Sequence, residues 1–489
     1  MKLRTLLESL PAEWIAGVCG VDEDGPEIHH LAYDSRRVRP GSLFFAITGF
    51  QTDGNRYVPE AAAAGAVAVV SERAPAGGTD LPWIQVDRIR AAMSLLAARF
   101  YGEPARRLRL VGITGTNGKT TTAYLLHSIF AQEAPSLLLG TVEYIVGGRR
   151  HKSRLTTPES VDIQASLREA VDAGCRYGVM EVSSHSLALD RTYGCPIPVA
   201  VFTNLSQDHL DFHGTMEHYF AAKARLFDTA VNPGLLHAIV NGDDVWGGQL
   251  IRLAPRVVTY GLAPQNTFRA VDRRITAEGT RMRVVTPRGE FELESSLVGT
   301  HNVYNLLAAV AAADALGLPV ETIRAGLLAL QRVPGRFERV PVDRPFTVII
   351  DYAHTPDALA NVLKLARQVT AGRLICLFGC GGDRDRAKRP QMGAIAVRLA
   401  DQVIVTSDNP RSEDPDAIID DIFTGIPADA EHVARVTDRR EAIRRALAMA
   451  EPGDLVLLAG KGHEDYQEIS GQRYPFDERQ VVQEVLCAV

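Results

Sequence analysis

The sequence predicts an α/β fold in three domains: a small N-terminal α/β unit, a central parallel sheet of the P-loop ATPase type, and a C-terminal Rossmann-like domain. Three observations predict it. The chain has 489 residues, and at roughly 150 residues per domain that length corresponds to about three cores. Short apolar runs alternate with turn residues and helix-like segments, the pattern of βα units in a parallel sheet. That rhythm falls into three blocks, residues 1–96, 97–335 and 336–489.

The first block holds FFAITG (Phe44 to Gly49), an Ala-rich helical stretch from about Glu60 to Gly65, and a strand-like AVAVV (Ala66 to Val70). The second opens with LRLVGIT (Leu108 to Thr114). It continues through YGVMEVSS (Tyr177 to Ser184), PVAVFTN (Pro198 to Asn204) and HAIVNGDD (His237 to Asp244), and closes in a helix from about Asn302 to Leu316. The third follows VPGRFERV (Val333 to Val340) and repeats strands with polar exits: TVIIDYAHTPDAL, RLICLFGCGGDRD, DQVIVTSDNPR and DLVLLAGKGHED. In open α/β sheets ligands sit beyond the carboxyl ends of the strands, so these polar exits are expected to converge on a crevice.

Composition narrows the partners. The chain is 46% hydrophobic and 23% charged with a net charge of -6 and no long basic run, which favours neither a nucleic-acid groove nor an anionic membrane surface. Six cysteines are too sparse for a disulfide framework and are expected as reduced core thiols, and Cys376 and Cys380 lack the companion pair that a zinc site needs. No apolar stretch is long enough to span a bilayer, and MKLRTLLESLP, interrupted by Glu8, is too short for a signal sequence. The expectation is a cytoplasmic monomer acting on small molecules, with no nucleic-acid or membrane partner.

The first chemical motif is the loop between Thr114 and Ala123. Gly115, Thr116, Asn117, Gly118, Lys119, Thr120 and Thr121 follow a strand and open a helix. Glycines let backbone N–H groups close around an anion, the helix N-terminus adds its dipole, Lys119 can neutralise β/γ-phosphate charge, and Thr120 can ligate Mg²⁺. The strict G-x-x-x-x-G-K-[ST] pattern would have its first glycine where Ile113 stands, so the match is to the second half of the motif.

GTNGKTT, EVSSH (Glu181 to His185), TNLSQDHLDFHG (Thr203 to Gly214), GTHNVYN (Gly299 to Asn305) and DYAHTPD (Asp351 to Asp357) occur in one order along the chain. That series resembles the ATP-dependent Mur ligases of peptidoglycan synthesis over nearly the whole length. DNPR (Asp408 to Arg411) with GKGHE (Gly460 to Glu464) most resembles the members that add meso-2,6-diaminopimelate. The resemblance implies domains for a UDP-sugar, ATP and an amino acid in turn. The implied activity joins meso-diaminopimelate to the D-Glu side-chain carboxylate of UDP-N-acetylmuramoyl-L-alanyl-D-glutamate, through an acyl phosphate, with release of ADP and phosphate. A lysine-adding Mur ligase and folylpolyglutamate synthetase stand as alternatives, and a nucleotide switch without synthetic activity is the rival from another class.

The resemblance also implies roles. Lys119, Glu181, His209 and Lys223 would be catalytic. Mg²⁺ would be held by Thr120, Glu181, His209 and Lys223, the lysine carbamylated to N6-carboxylysine. ATP would be held by the phosphate loop with Asn302, Asn305, Arg336 and Asp351. Tyr33, Ser35, Phe50, Gln51 and Thr52 would meet the uridine diphosphate, and Thr156, Thr157, Ser183 and Arg191 the muramyl peptide. Three positions depart from the family's usual residues: Leu155 where Asn is common, Leu189 where Gln occurs, and Phe50 where His occurs. Diaminopimelate offers a distal carboxylate that lysine lacks, and the guanidinium forks of Arg384 and Arg411 suit carboxylates. Asn409 adds amide contacts, Glu464 pairs with the distal ammonium, and Asp408, Pro410 and Gly460 complete the loop. Arg336, Asp351 and Arg411 lie far along the chain from the phosphate loop, so domain closure is expected.

Overall fold

The structure is a computed structural model and describes residues 1–49, 52–74, 80–276 and 278–487. Its fold is mixed α/β with three sheet-bearing regions, as the sequence predicts. The N-terminal sheet has five strands in the order Ile15–Cys19, Trp83–Val86, Ala66–Ser71, Ser42–Ala46, His30–Ala32, antiparallel at the first pair and parallel elsewhere. Side chains alternate across a strand. Leu43, Phe45, Ala68 and Val70 therefore pack under the helix Ile89–Phe100, while Phe44, Ala46 and Val69 meet Val58 and Ala61 of the helix Val58–Ala63 on the other face.

The central sheet has eleven strands, and the phosphate-loop strand Arg109–Thr114 lies inside it between Val199–Phe202 and Tyr177–Glu181. Seven neighbouring strands pair in parallel, and those from Ser136–Leu139 to His237–Asn241 are nearly continuous in apolar residues, because helices cover both faces. Both edges depart from the expected parallel pattern. Phe268–Thr276, Gly279–Thr286 and Gly289–Ser295 form an antiparallel meander at one edge, and Glu143–Val146 with Arg149–Lys152 form a hairpin at the other. Most of these strands mix buried with partly or fully exposed residues, Arg149–Lys152 is wholly exposed, and Glu143–Val146 is only four residues long, so they carry none of the long apolar runs by which buried strands are recognised. The outermost strand, Arg-Arg-His-Lys, protects its open edge with charge.

The C-terminal sheet has six strands in the order Glu338–Val340, Thr347–Asp351, Leu455–Ala459, Leu374–Phe378, Gln402–Val405, Val433–Arg435, all parallel except the first pair. Cys376, Phe378 and Leu457 face the helices Pro356–Val369 and Lys388–Leu399, while Ile375, Leu377, Val456 and Leu458 face Arg439–Met449 and Glu478–Cys487. The result is the three-layer, Rossmann-like arrangement. All six cysteines are free, with Cys175, Cys195, Cys376 and Cys380 buried, and no helix among the described residues is long and apolar enough to cross a membrane.

Candidate active site between the central and C-terminal domains

The phosphate loop is shaped by two glycines that nothing else could replace. Gly115 has φ +144°, and a Cβ there would lie 1.9 Å from Thr203 Oγ1; Gly118 has φ +87°, and its Cβ would lie 2.4 Å from Asn305 Oδ1. The loop is braced from the next strand's exit, where Asn204 Oδ1 accepts from Asn117 N at 2.9 Å and Thr203 Oγ1 donates to Asn117 O at 2.6 Å. Lys119 opens the helix Lys119–Phe130, and its ammonium curls back to Gly115 O (2.9 Å) and Thr116 O (2.8 Å). Desolvation pulls its pKa below the ordinary lysine value.

Glu181 ends its strand wholly buried. Its carboxylate accepts from Thr120 Oγ1 (3.0 Å), Thr141 Oγ1 (2.9 Å) and Thr141 N (2.8 Å), and Arg336 Nη2 donates to the same Thr120 hydroxyl at 3.2 Å. A buried carboxylate beside a hydroxyl at a phosphate loop is an oxygen donor set that suits a hard divalent cation, so Thr120 and Glu181 fit Mg²⁺. Lys223 is buried on the helix Met216–Ala224, donates to Gly115 O at 2.8 Å and stands 4.4 Å from the Tyr219 ring centre. Desolvation and the neighbouring Lys119 push its pKa well below the ordinary value. As an ammonium it has no lone pair to offer a metal, and as an uncharged amine it is a poor ligand for Mg²⁺, which prefers oxygen; a carboxylate-bearing modification would supply that oxygen. His209 has φ +53° and lies exposed on the rim, Nε2 3.5 Å from Asp208 Oδ2. Among the described residues no cluster of three or more His, Cys, Asp or Glu side chains could hold a metal, so Glu181 and His209 alone do not complete a cation's shell and hydroxyl, modified-lysine or phosphate oxygens would be needed beside them.

Thr116 to Thr121, Glu181, His209, Lys223, Asn302, Asn305, Arg336 and Asp351 all line one cleft of about 660 Å³. Asn305 Nδ2 donates to Asn302 Oδ1 (2.9 Å), and Asn302 Nδ2 to Val298 O (2.8 Å). Asp351 accepts from Phe337 N (2.7 Å) and Ala353 N (2.8 Å), fastening the linker to the C-terminal sheet, and burial raises its pKa. The Arg336 guanidinium lies 4.7 Å from the Tyr352 ring centre.

A second cleft of about 510 Å³ is lined by Arg384, Asp408, Asn409, Arg411, Gly460 and Glu464. Asn409 Nδ2 donates to Glu464 Oε2 at 2.7 Å, and the fully buried Lys461 donates to both Asn409 Oδ1 (3.1 Å) and Glu464 Oε2 (3.2 Å). Lys461 lies inside the GKGHE motif, yet only the fold shows it beneath the cleft floor. Desolvation and Asp408 raise the Glu464 pKa. Arg411, at φ +53°, donates from Nη1 to Gly382 O at 2.6 Å, and Arg384 is exposed. Gly460 (φ +114°) admits Asp408, whose Oδ2 would lie 2.5 Å from a Cβ there, and Pro410 O presses so close to Gly382 that a Cβ would lie 1.9 Å away. The two clefts share Asp208, His209, Tyr352, His354 and Thr355 as a common wall. Apart from His209, none of these five stands out in sequence, although QDHLD and DYAHTPD contain them.

Toward the N-terminal domain, Thr156 and Ser183 also line the first cleft. The buried Thr157 hydroxyl donates to Glu181 O (2.8 Å) and accepts from Ser183 N (3.0 Å). The Arg191 fork is engaged by its own chain, Nη1 to Thr157 O at 3.0 Å and Nη2 to Glu159 Oε1 at 2.7 Å. Leu155 is exposed, and Leu189 caps the helix Ser184–Ala188. Tyr33 donates to Asp162 across the domain boundary, where Arg37 also pairs with Asp162 at 3.0 Å. Ser35 Oγ donates to Glu60 Oε1 (3.2 Å) and Thr52 Oγ1 to Tyr57 OH (3.3 Å). Phe50 and Gln51 lie outside the described residues.

Three family descriptions match successive stretches: "Mur ligase family, catalytic domain" over residues 27–101, "Mur ligase middle domain" over 113–313, and "Mur ligase, glutamate ligase domain" over 335–462. A UDP-N-acetylmuramoyl-L-alanyl-D-glutamate--2,6-diaminopimelate ligase of Synechococcus elongatus is 49% identical over 490 residues, covering 98% of each chain. One of Geobacillus kaustophilus is 47% identical over 489 residues, again 98% of each. A solved structure carrying the same ligase name superposes with a TM-score of 0.69 at 34% identity, covering 100% of this chain and 99% of its own.

Proposed function

The chain belongs to the Mur ligase family, and on that footing we propose that it is the ATP-dependent ligase adding meso-2,6-diaminopimelate to the D-Glu side-chain carboxylate of UDP-N-acetylmuramoyl-L-alanyl-D-glutamate. The observation that carries this reading is the pair of clefts with one common wall: a phosphate loop opens into the first, guanidinium and carboxylate side chains line the second, and the wall between them is where their ligands would meet. The chain works as a cytoplasmic monomer, divided at 1–96, 97–335 and 336–489.

A carboxylate does not acylate an amine, because its leaving group would be oxide. The γ-phosphoryl group of ATP therefore passes to the D-Glu carboxylate oxygen and ADP departs; the amine of diaminopimelate then attacks the acyl carbon and phosphate leaves. The first transfer needs positioning and charge neutralisation more than covalent help. The N–H groups of Gly115 to Thr121 and the Lys119 ammonium hold the β/γ-phosphates, Asn302 and Asn305 face the adenine, and Arg336 and Asp351 close over the nucleotide. When bound, Mg²⁺ held by Thr120 and Glu181, with His209, spreads the phosphate charge. Ser35, Tyr33 and the segment Phe50, Gln51, Thr52 hold the uridine diphosphate; Thr156, Thr157, Ser183 and Arg191 hold the muramyl dipeptide.

Lys223 carries a carbamate in the working enzyme. A buried amine whose pKa is pushed down is a nucleophile toward CO₂; the N–C bond forms, one proton is released, and the product is an anion where an uncharged amine stood. Purified protein in bicarbonate buffer is expected to show a mass gain of one CO₂ and higher turnover than protein in CO₂-free buffer. Equal activity in both, with the unmodified mass, removes this role.

Phosphate release with ATP, Mg²⁺ and the UDP-muramyl dipeptide is expected with meso-diaminopimelate, and not with L-lysine or with no amino acid. Release with lysine alone would keep the ligase and overturn the carboxylate-recognition argument. Arg411→Ala should lower kcat/KM for diaminopimelate by about 10²-fold, the worth of a lost charge-assisted hydrogen bond, and leave the KM for ATP unchanged.

A further inference from the structure

The second half-reaction leaves a proton to be placed. A neutral amine that attacks the acyl carbon becomes ammonium-like as its N–C bond forms, and that nitrogen must shed a proton for the amide to persist. The two substrates enter from different clefts, so the acceptor has to stand on the wall the clefts share, formed by Asp208, His209, Tyr352, His354 and Thr355.

Four of these are otherwise engaged. Thr355 caps the helix Pro356–Val369 by accepting from Ala358 N at 3.3 Å. Tyr352 stacks under Arg336, and burial raises its pKa, so its phenol keeps its proton. Burial would raise the Asp208 pKa, but the hydrogen bond from His209 N at 2.9 Å and the Lys119 charge help hold it below the ordinary carboxylate range; it is a weak base. His209 pairs with Asp208 and stands beside the phosphate side of the wall. His354 differs. Its Nδ1 lies 2.9 Å from Tyr352 O. A carbonyl oxygen can only accept, so Nδ1 carries the hydrogen and the lone pair is on Nε2. Burial and the neighbouring Lys388, whose ammonium donates to His354 O at 2.9 Å, favour the uncharged ring, while Asp208 stands ready to stabilise the charged one.

Resting on the ligase reading above, we propose that His354 is the general base of amide formation. Its Nε2 takes the proton from the attacking nitrogen as the N–C bond forms and the C–O bond to phosphate breaks, and the imidazolium returns that proton to solvent when product leaves. Its counterpart on ordinary grounds is a hydrogen-bonded core histidine, and the two roles separate experimentally.

His354→Asn keeps an amide N–H where Nδ1 donates to Tyr352 O and removes the base; His354→Gln is the companion variant with an amide at the Nε2 position. Each is first checked for unaltered ATP binding. Ligation of diaminopimelate is expected to fall about 10²-fold or more in either. Hydroxylamine, a nucleophile whose conjugate acid is far more acidic than an alkylammonium, should still trap the acyl phosphate as a hydroxamate at close to the wild-type rate. Equal losses with both nucleophiles in an ATP-binding variant, or diaminopimelate ligation retained in either, overturns the proposal. If the unaltered enzyme makes no product with diaminopimelate, it is the ligase reading that fails instead.

Discussion

Lys119→Ala is expected to lower phosphate release at saturating substrates by about 10³-fold, the upper range for removing one preorganised electrostatic contact from a reaction centre. The ammonium already sits inside the loop, held by two loop carbonyls at 2.9 and 2.8 Å, so little reorganisation is needed when phosphate arrives. Its depressed pKa reports the desolvation that makes the same charge worth more against a phosphate than it would be in water. Lys119→Arg should not rescue, because a guanidinium cannot be fitted where a compact ammonium bridges Gly115 and Thr116. The decisive readout is kcat by coupled phosphate assay. A loss below tenfold would mean that Lys119 only holds the loop closed.

Gly115→Ala should be equally damaging by a different route. A methyl at Gly115 would lie 1.9 Å from Thr203 Oγ1 and 3.0 Å from Asn204 O, on a residue at φ +144°. The backbone strain alone costs about 1–3 kcal/mol, and the clash also displaces the two residues that brace Asn117. ATP affinity and thermal stability are both expected to fall. Gly248→Ala is the matching control: it lies in the helix Val245–Leu253 with nothing within 4 Å of a Cβ, so it should stabilise by up to about 1 kcal/mol through helix propensity. A Gly115→Ala protein with unaltered nucleotide affinity would show that the loop is not where phosphate binds.

The parts of the fold legible in the sequence were those whose burial is two-sided. GVM, VAVF, LICLF and LVLLA read as strands because helices cover both faces and apolar side chains fill both sides of the sheet. The meander from Phe268 to Ser295 and the hairpin from Glu143 to Lys152 were not legible, since most of their strand residues are at least partly exposed and their pairing is set by neighbours. At the site, motifs with a fixed local geometry were legible for the same reason. The phosphate loop is strand, glycines and helix within one short segment, and the structure puts Glu181, His209, Lys223, Asn302, Asn305, Arg336 and Asp351 around the same cleft.

By itself, the sequence determined the family, the α/β class, the strand–glycine–helix loop and the two groups of side chains proposed for phosphate and amino acid, because each of these depends on residue type and local spacing. The tertiary structure alone decided how they are used. It showed Arg191 tied to Glu159, Lys461 buried beneath Asn409 and Glu464, and one wall from Asp208 to Thr355 dividing two clefts. Those relations join residues tens to hundreds of positions apart, and a charge, a lone pair or a cleft wall acquires its role only from the groups that folding brings within a few ångströms of it.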